Sequence, residues 1–196
     1  MTTPDPARRS GRRQFLLVAS LFFVPVVTAI LLYQSSGWRP VVNSQGTLID
    51  PPRTLAASGL SLPDGAPAPA NVLEGHWSVV HPTTACDERT ESLFDELSRV
   101  RLALDKDAPR VRRVLLLAGG CAGVNLPSRD ADLLVLSAAG PEGEALLAAF
   151  PPAVDGAAGI YIVDPHGNLM MSYPASGSAR GLLKDLERLL RLSNIG

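Results

Sequence analysis

The chain has 196 residues, with 18 Lys and Arg against 19 Asp and Glu, for a formal net charge of −1 at neutral pH. Four of the basic residues, Arg8, Arg9, Arg12 and Arg13, stand before an apolar run. Everything after that run is acidic on balance, with no basic stripe, which argues against nucleic acid as a partner.

From Phe15 to Tyr33 there are nineteen uncharged residues, thirteen of them Leu, Ile, Phe or Val. At ~1.5 Å rise per residue this is a helix of about 28 Å, close to the ~30 Å hydrocarbon core of a bilayer. The segment therefore reads as a transmembrane anchor over residues 15–33. The four arginines keep residues 1–14 cytoplasmic by the positive-inside bias and place the rest of the chain outside the cytoplasm, with Tyr33 and Trp38 at the far interface. Gly11-Arg12-Arg13-Gln14-Phe15-Leu16 also resembles a twin-arginine export signal, but no small-x-small cleavage site follows closely, so an uncleaved anchor is the better reading.

Residues 34–71 are rich in Pro, Gly, Ser and Ala and read as a tether. Within it Gly46-Thr47-Leu48-Ile49 has the character of a short strand that could pack on the domain. The expected folded domain then covers residues 72–196.

Its elements alternate. His76 to His81 is a short apolar strand closed by Pro82. Glu91 to Lys106 carries Leu93, Leu97, Val100 and Leu104 on one helical stripe. Val111 to Ala118 and Leu133 to Leu136 are continuous apolar runs of buried-strand type. Pro141 to Phe150 reads as a short helix with proline in its first turn. Ile160 to Val163 enters the turn Asp164-Pro165-His166-Gly167 and Leu169 to Tyr173 returns from it, which is a hairpin. Ser178 is placed to cap a last helix, Ala179 to Leu192, with Leu182, Leu183, Leu186, Leu189 and Leu190 on one face. This order predicts a three-layer α/β domain with a sheet of four or five strands. The arrangement is thioredoxin-like, preceded by one transmembrane helix.

Cys86 is expected at the strand-to-helix turn, where backbone N–H groups and the helix dipole favour a thiolate. It is the leading candidate for redox or soft-metal chemistry. Cys121 lies in the Gly-rich run Gly119 to Gly123, and a Cys86–Cys121 disulfide is one possibility in an oxidising compartment. His81 could pair with Cys86. His76 falls on the opposite strand face from His81, and His166 sits in the hairpin turn. Met170 and Met171 are neighbours expected on opposite sheet faces, as packing residues.

The strand His76 to His81, the Cys86 turn and the run Val154 to Gly167 resemble the SCO/SenC family of cytochrome oxidase copper chaperones. Trp38-Arg39-Pro40, Asn43 to Pro52, Arg101 to Leu104, Leu169 to Pro174 and Leu182 to Asp185 are similar to an SCO-like transmembrane protein of the proteobacterial oxidase assembly gene cluster. The resemblance implies a thioredoxin fold, a single-pass anchor in the inner membrane and a periplasmic C-terminal domain. It also implies an oxidase subunit or a copper-delivery protein as partner. In that family copper is held by two cysteines of a C-x-x-x-C motif and a histidine. Cys86 matches the first cysteine, whereas Thr90 stands at the second and Gly156 at the histidine, and Glu91 replaces the proline after the motif. No cofactor and no catalytic role are therefore expected, copper and a single-thiol role for Cys86 being the alternative.

Overall fold

The computed structural model describes residues 6–34, 44–84, 87–119, 132–152, 159–177 and 179–196, and the chain divides into two compact units, 1–43 and 44–196. In the first unit, α1 (Pro6–Gln34) is a 29-residue helix carrying Pro25, and its stretch Gln14–Leu32 is long and apolar enough to cross a membrane. Ser20 and Thr28 return their hydroxyls to the carbonyls of Leu17 and Val24. Those internal bonds reduce the cost of two polar side chains in an apolar helix.

The second unit is a mixed sheet with helices on both faces. Its strands are β1 (Thr47–Thr54), β2 (Trp77–Thr83), β3 (Val111–Leu117), β4 (Leu133–Ser137), β5 (Ile160–Val163) and β6 (Asn168–Tyr173). They lie in the order β1-β6-β5-β2-β3-β4. The three strands β2, β3 and β4 are parallel, while β5 and β6 form the antiparallel hairpin and β1 adds antiparallel to β6. The helices are α2 (Glu88–Ala103), α3 (Gly140–Ala148) and α4 (Ala179–Leu192), with a 3-10 turn at Asp105–Arg110.

Two apolar layers sandwich the sheet. Leu93, Leu97, Val100 and Leu104 of the expected stripe pack with Leu182, Leu186 and Leu190 of α4 over Val79, Ile160 and Ile162. On the other face Val80, Val114, Leu136 and Val163 meet Leu146 of α3 and Leu55, Leu60 and Leu73 from the segment before β2. This is the three-layer α/β architecture expected, with six strands rather than four or five.

The additional strand comes from the presumed tether. Residues 44–71 belong to the folded unit, so its boundary moves from 72 to Ser44. Thr47 and Leu48 pair with Ser172 and Met171, then Arg53 and Thr54 with Leu169 and Asn168. The register break between them takes up Asp50-Pro51-Pro52, so neither proline has to supply a ladder N–H.

Pro82 does not close β2, which runs to Thr83 in register with Leu117. Ala118 donates to the carbonyl of Thr83, so Thr83 faces β3 and the adjacent Pro82 faces the β5 side, where pairing has already ended at Val80 with Tyr161. The missing N–H is lost where no described strand needs it.

Met170 and Met171 differ from expectation too. A register break in the hairpin puts Ile162 opposite Met171 but Val163 opposite Leu169. Leu169 therefore joins the α3 layer while both methionines pack against the α2 and α4 layer. The alternation of a regular strand fails at that one extra residue.

Candidate functional site

Helix α2 begins three residues before the expected Glu91. Asp87 is its N-cap, in extended backbone, with its carboxylate accepting from the N–H of Thr90 at 3.0 Å and from the Thr90 hydroxyl at 3.2 Å. The first of these bonds holds the Asp87 carboxyl below its usual value. Thr90 is 4% exposed. The position that resembles a second cysteine is thus a capping partner of Asp87, and Glu88 and Glu91 add negative charge in the first turn where the helix dipole favours it.

His81 comes off β2 on the α2 side. It is 5% exposed, with its ring edge-to-face against Phe94 at 6.1 Å between centroids and an interplanar angle of 62°. Its Nδ1 lies 2.9 Å from the carbonyl of Gly159. A carbonyl only accepts, so the neutral ring carries its proton on Nδ1 and leaves Nε2 with a lone pair. Burial pushes the His81 pKa down, against the raising effects of that carbonyl and of Asp87.

These elements border an open cleft of about 680 Å³ at the C-terminal end of the parallel strand β2. His81 and Thr83 form one wall, Asp87, Arg89 and Glu96 the α2 wall, and Ala175 and Ser176 the side after β6. Ligands of open α/β sheets commonly sit at this end. Among the described residues the cleft offers a neutral imidazole, hydroxyls and carboxylates around one arginine.

The other candidates are dispersed. His76 is exposed at the opposite end of β2, and His166 is exposed in the hairpin turn, where its N–H donates to Asp164 Oδ1 at 2.9 Å. Cys86, Cys121, Gly156 and Ser178 lie outside the described residues, and with them the possible disulfide and the expected cap of α4. Among the described residues no three His, Cys, Asp or Glu side chains converge as a metal cluster.

Two buried polar centres escaped the sequence reading. Asp185 of α4, 3% exposed, accepts from the N–H groups of Gln45 and Gly46 at 2.7 and 3.0 Å and from the Tyr173 hydroxyl at 2.8 Å. Burial, helped by the Asp185 bond, raises the Tyr173 pKa, so the phenol stays a donor. Arg113, 1% exposed, is bidentate to Asp132 at 2.8 and 3.2 Å and donates to the Phe94 carbonyl. A charged residue inside an apolar strand was the available signal for Arg113, and a lone Asp on a leucine-rich helix for Asp185.

The fold has close company. A solution structure of apo Sco1 from Thermus thermophilus is similar at a TM-score of 0.55 with 18% identity, covering 77% of this chain and 99% of that one. Yeast Sco1 with copper bound also gives 0.55, at 14% identity over 72% of this chain and 95% of its own. BsSco, described as a member of the Sco family of cytochrome c oxidase assembly proteins, gives 0.50 at 14% identity, over 74% and 99%. At such identities these likenesses speak for the thioredoxin fold. A search of curated proteins finds no match. The family model for the transmembrane-like, thioredoxin-like C-terminal domain matches residues 77–193, which span β2 to the end of α4, and the chain belongs to that family.

Proposed function

We propose that this chain is a membrane-anchored accessory protein of cytochrome c oxidase assembly, acting by docking rather than by copper transfer. In this reading residues 15–33 cross the inner membrane, residues 1–14 stay in the cytoplasm and the folded unit from Ser44 on works in the periplasm. The helix length, its apolar composition and the four arginines before it support that placement. The Sco neighbours, one of them described as an oxidase assembly protein, support the process. The partner would be an oxidase subunit or a copper-delivery protein.

The observation that carries the docking role is Thr90. Where a second thiolate is needed, the chain has a buried hydroxyl committed to the helix cap. A hydroxyl is a hard donor, and soft thiolate and imidazole ligands set the affinity of such copper sites. The residues present therefore do not fit the copper site of the resembled family.

A second reading is favoured by His81. Its neutral Nε2 sits in a ring that lines the cleft, beside the turn that carries Cys86 in sequence, and this supports a single-thiol redox or chaperone role for Cys86.

Deleting the gene and measuring haem, copper and activity of the terminal oxidase tests the process. Reduced oxidase content supports an assembly role, and unchanged content and activity remove it. Complementation with Cys86→Ser separates the two readings: full rescue supports docking, whereas failure to rescue, with loss of stoichiometric Cu(I) uptake by the purified chain, supports the single-thiol role.

A further inference from the structure

At the opposite end of the sheet, where β2, β3 and β4 begin, there is a second concavity of about 390 Å³. It is bordered by His76, Arg101, Arg112 and Asp132. The electrostatics of this place are unbalanced. Asp132 is the one carboxylate in the lining, and both of its oxygens are taken by Arg113, with Arg101 Nε only 3.3 Å from Oδ2. Among the described residues Arg112 has no carboxylate partner. Its Nε donates to Ser78 Oγ at 2.9 Å and its Nη2 to the carbonyls of Val72 and Glu74. Among the described residues one carboxylate thus stands against three guanidinium groups, two of which it meets.

The donors left over matter as much as the charge. Among the described residues Arg112 Nη1 has no hydrogen-bond partner, nor do Arg101 Nη1 and Nη2, since Arg101 uses its Nε, on the Val111 carbonyl at 2.7 Å. The backbone bonds fix both guanidinium planes and leave the outer N–H groups without a partner among the described residues. Burial lowers the Arg112 pKa, as expected for a cation drawn partly out of water. A charge held half out of water and unneutralised is a cost that an anion would relieve.

We infer that this concavity is a binding site for a phosphate group, held by Arg112 Nη1, the outer nitrogens of Arg101 and the His76 ring. Donors arriving from a strand, a helix and the residue before β2 suit a tetrahedral oxyanion, and fixed guanidinium forks are the protein groups best matched to it. The same chemistry is offered by a phospholipid headgroup and by a free phosphate or phosphorylated small molecule. The site is independent of the cleft and of the oxidase reading, since it shares no residue with the former.

The full chain in non-ionic detergent is titrated with inorganic phosphate against chloride at equal ionic strength, reading the melting temperature and the Arg side-chain N–H resonances. In parallel it is placed in nanodiscs of phosphatidylcholine alone or with phosphatidylglycerol. A saturable phosphate effect identifies a free ligand. Arg101 and Arg112 resonances that move only with phosphatidylglycerol identify a headgroup. Arg112→Gln is expected to weaken binding about tenfold or more, close to 1.4 kcal/mol, and Arg191→Gln on α4 to leave it unchanged. Should Arg112→Gln fail to fold, His76→Ala removes an exposed donor and still weakens binding several-fold. No response to phosphate or to phosphatidylglycerol beyond the chloride and phosphatidylcholine controls overturns the site, and so does equal weakening by Arg191→Gln.

Discussion

His81 shows how a single buried side chain becomes sensitive to pH. The ring is neutral because burial among Phe94 and the sheet disfavours its charged form, more than Gly159 and Asp87 favour it. Its folded pKa lies below the ordinary value of about 6.5 that it has in the unfolded chain. Between those two values the unfolded chain binds a proton that the folded chain refuses. The contribution of His81 to stability is therefore full above about pH 6.5 and is lost as pH falls toward the folded pKa. His81→Phe keeps an aromatic ring against Phe94 but cannot titrate. Urea denaturation of the two proteins from pH 7.5 to 5 is expected to show stability falling more steeply in the native sequence than in the variant. Parallel slopes would remove His81 from the account. The sequence pointed to His81 through its place before the Cys86 turn. That Nδ1 is tied to Gly159, a residue 78 positions away, could not be read there, because nothing local to the strand encodes that neighbour.

Element boundaries were legible where the signal is local and periodic. The leucine stripe of α4 and the hairpin at Asp164–Gly167 follow from repeated spacings and from turn chemistry: Asp164 Oδ1 accepts from the N–H groups of both His166 and Asn168. The start of α2 was misplaced by three residues because Glu88, Arg89 and Thr90 precede the first leucine of the stripe. The cap at Asp87 decides the boundary instead. Asp87→Ala is expected to cost about 1 kcal/mol, within a range of about 0.5–2 kcal/mol, and Asp87→Asn to recover most of it, since an amide oxygen still accepts from Thr90. Chemical denaturation midpoints measure this directly. An Asp87→Ala protein as stable as the native chain would mean that the bonds from Thr90 to Asp87 do not hold the start of α2.

At the scale of the whole domain, β1 was legible only in its first half: Thr47 to Ile49 has strand character, but the second half is stabilised by its partner strand and not by its composition. Asp50-Pro51-Pro52 has the composition of a tether, yet it lies inside β1 as a break in register, and the residues on either side of it pair with β6. The prolines also blunt an exposed edge strand that could otherwise pair with another molecule. What fastens the leading end of this strand is the buried Asp185, which gathers the N–H groups of Gln45 and Gly46 and the hydroxyl of Tyr173 onto one carboxylate. Gly46 is required there by close approach, since a Cβ would lie 2.3 Å from the Tyr173 ring. Helix α4, β6 and the start of β1 are thereby closed by one residue. Replacing it leaves three donors without an acceptor, for which Asp185→Ala is expected to cost about 2–4 kcal/mol. The loss should be regional, with faster hydrogen exchange at Thr47 and Leu48 and in β6 than in the parallel strands, where the pairing of β2 with β3 does not depend on Asp185. Glu187→Ala, on the same helix but exposed, is expected to leave both stability and exchange unchanged. If Asp185→Ala accelerated exchange uniformly through the sheet, β1 would be an inseparable part of one cooperative core. If it accelerated none, the latch would be an ornament of a strand held by its ladder alone.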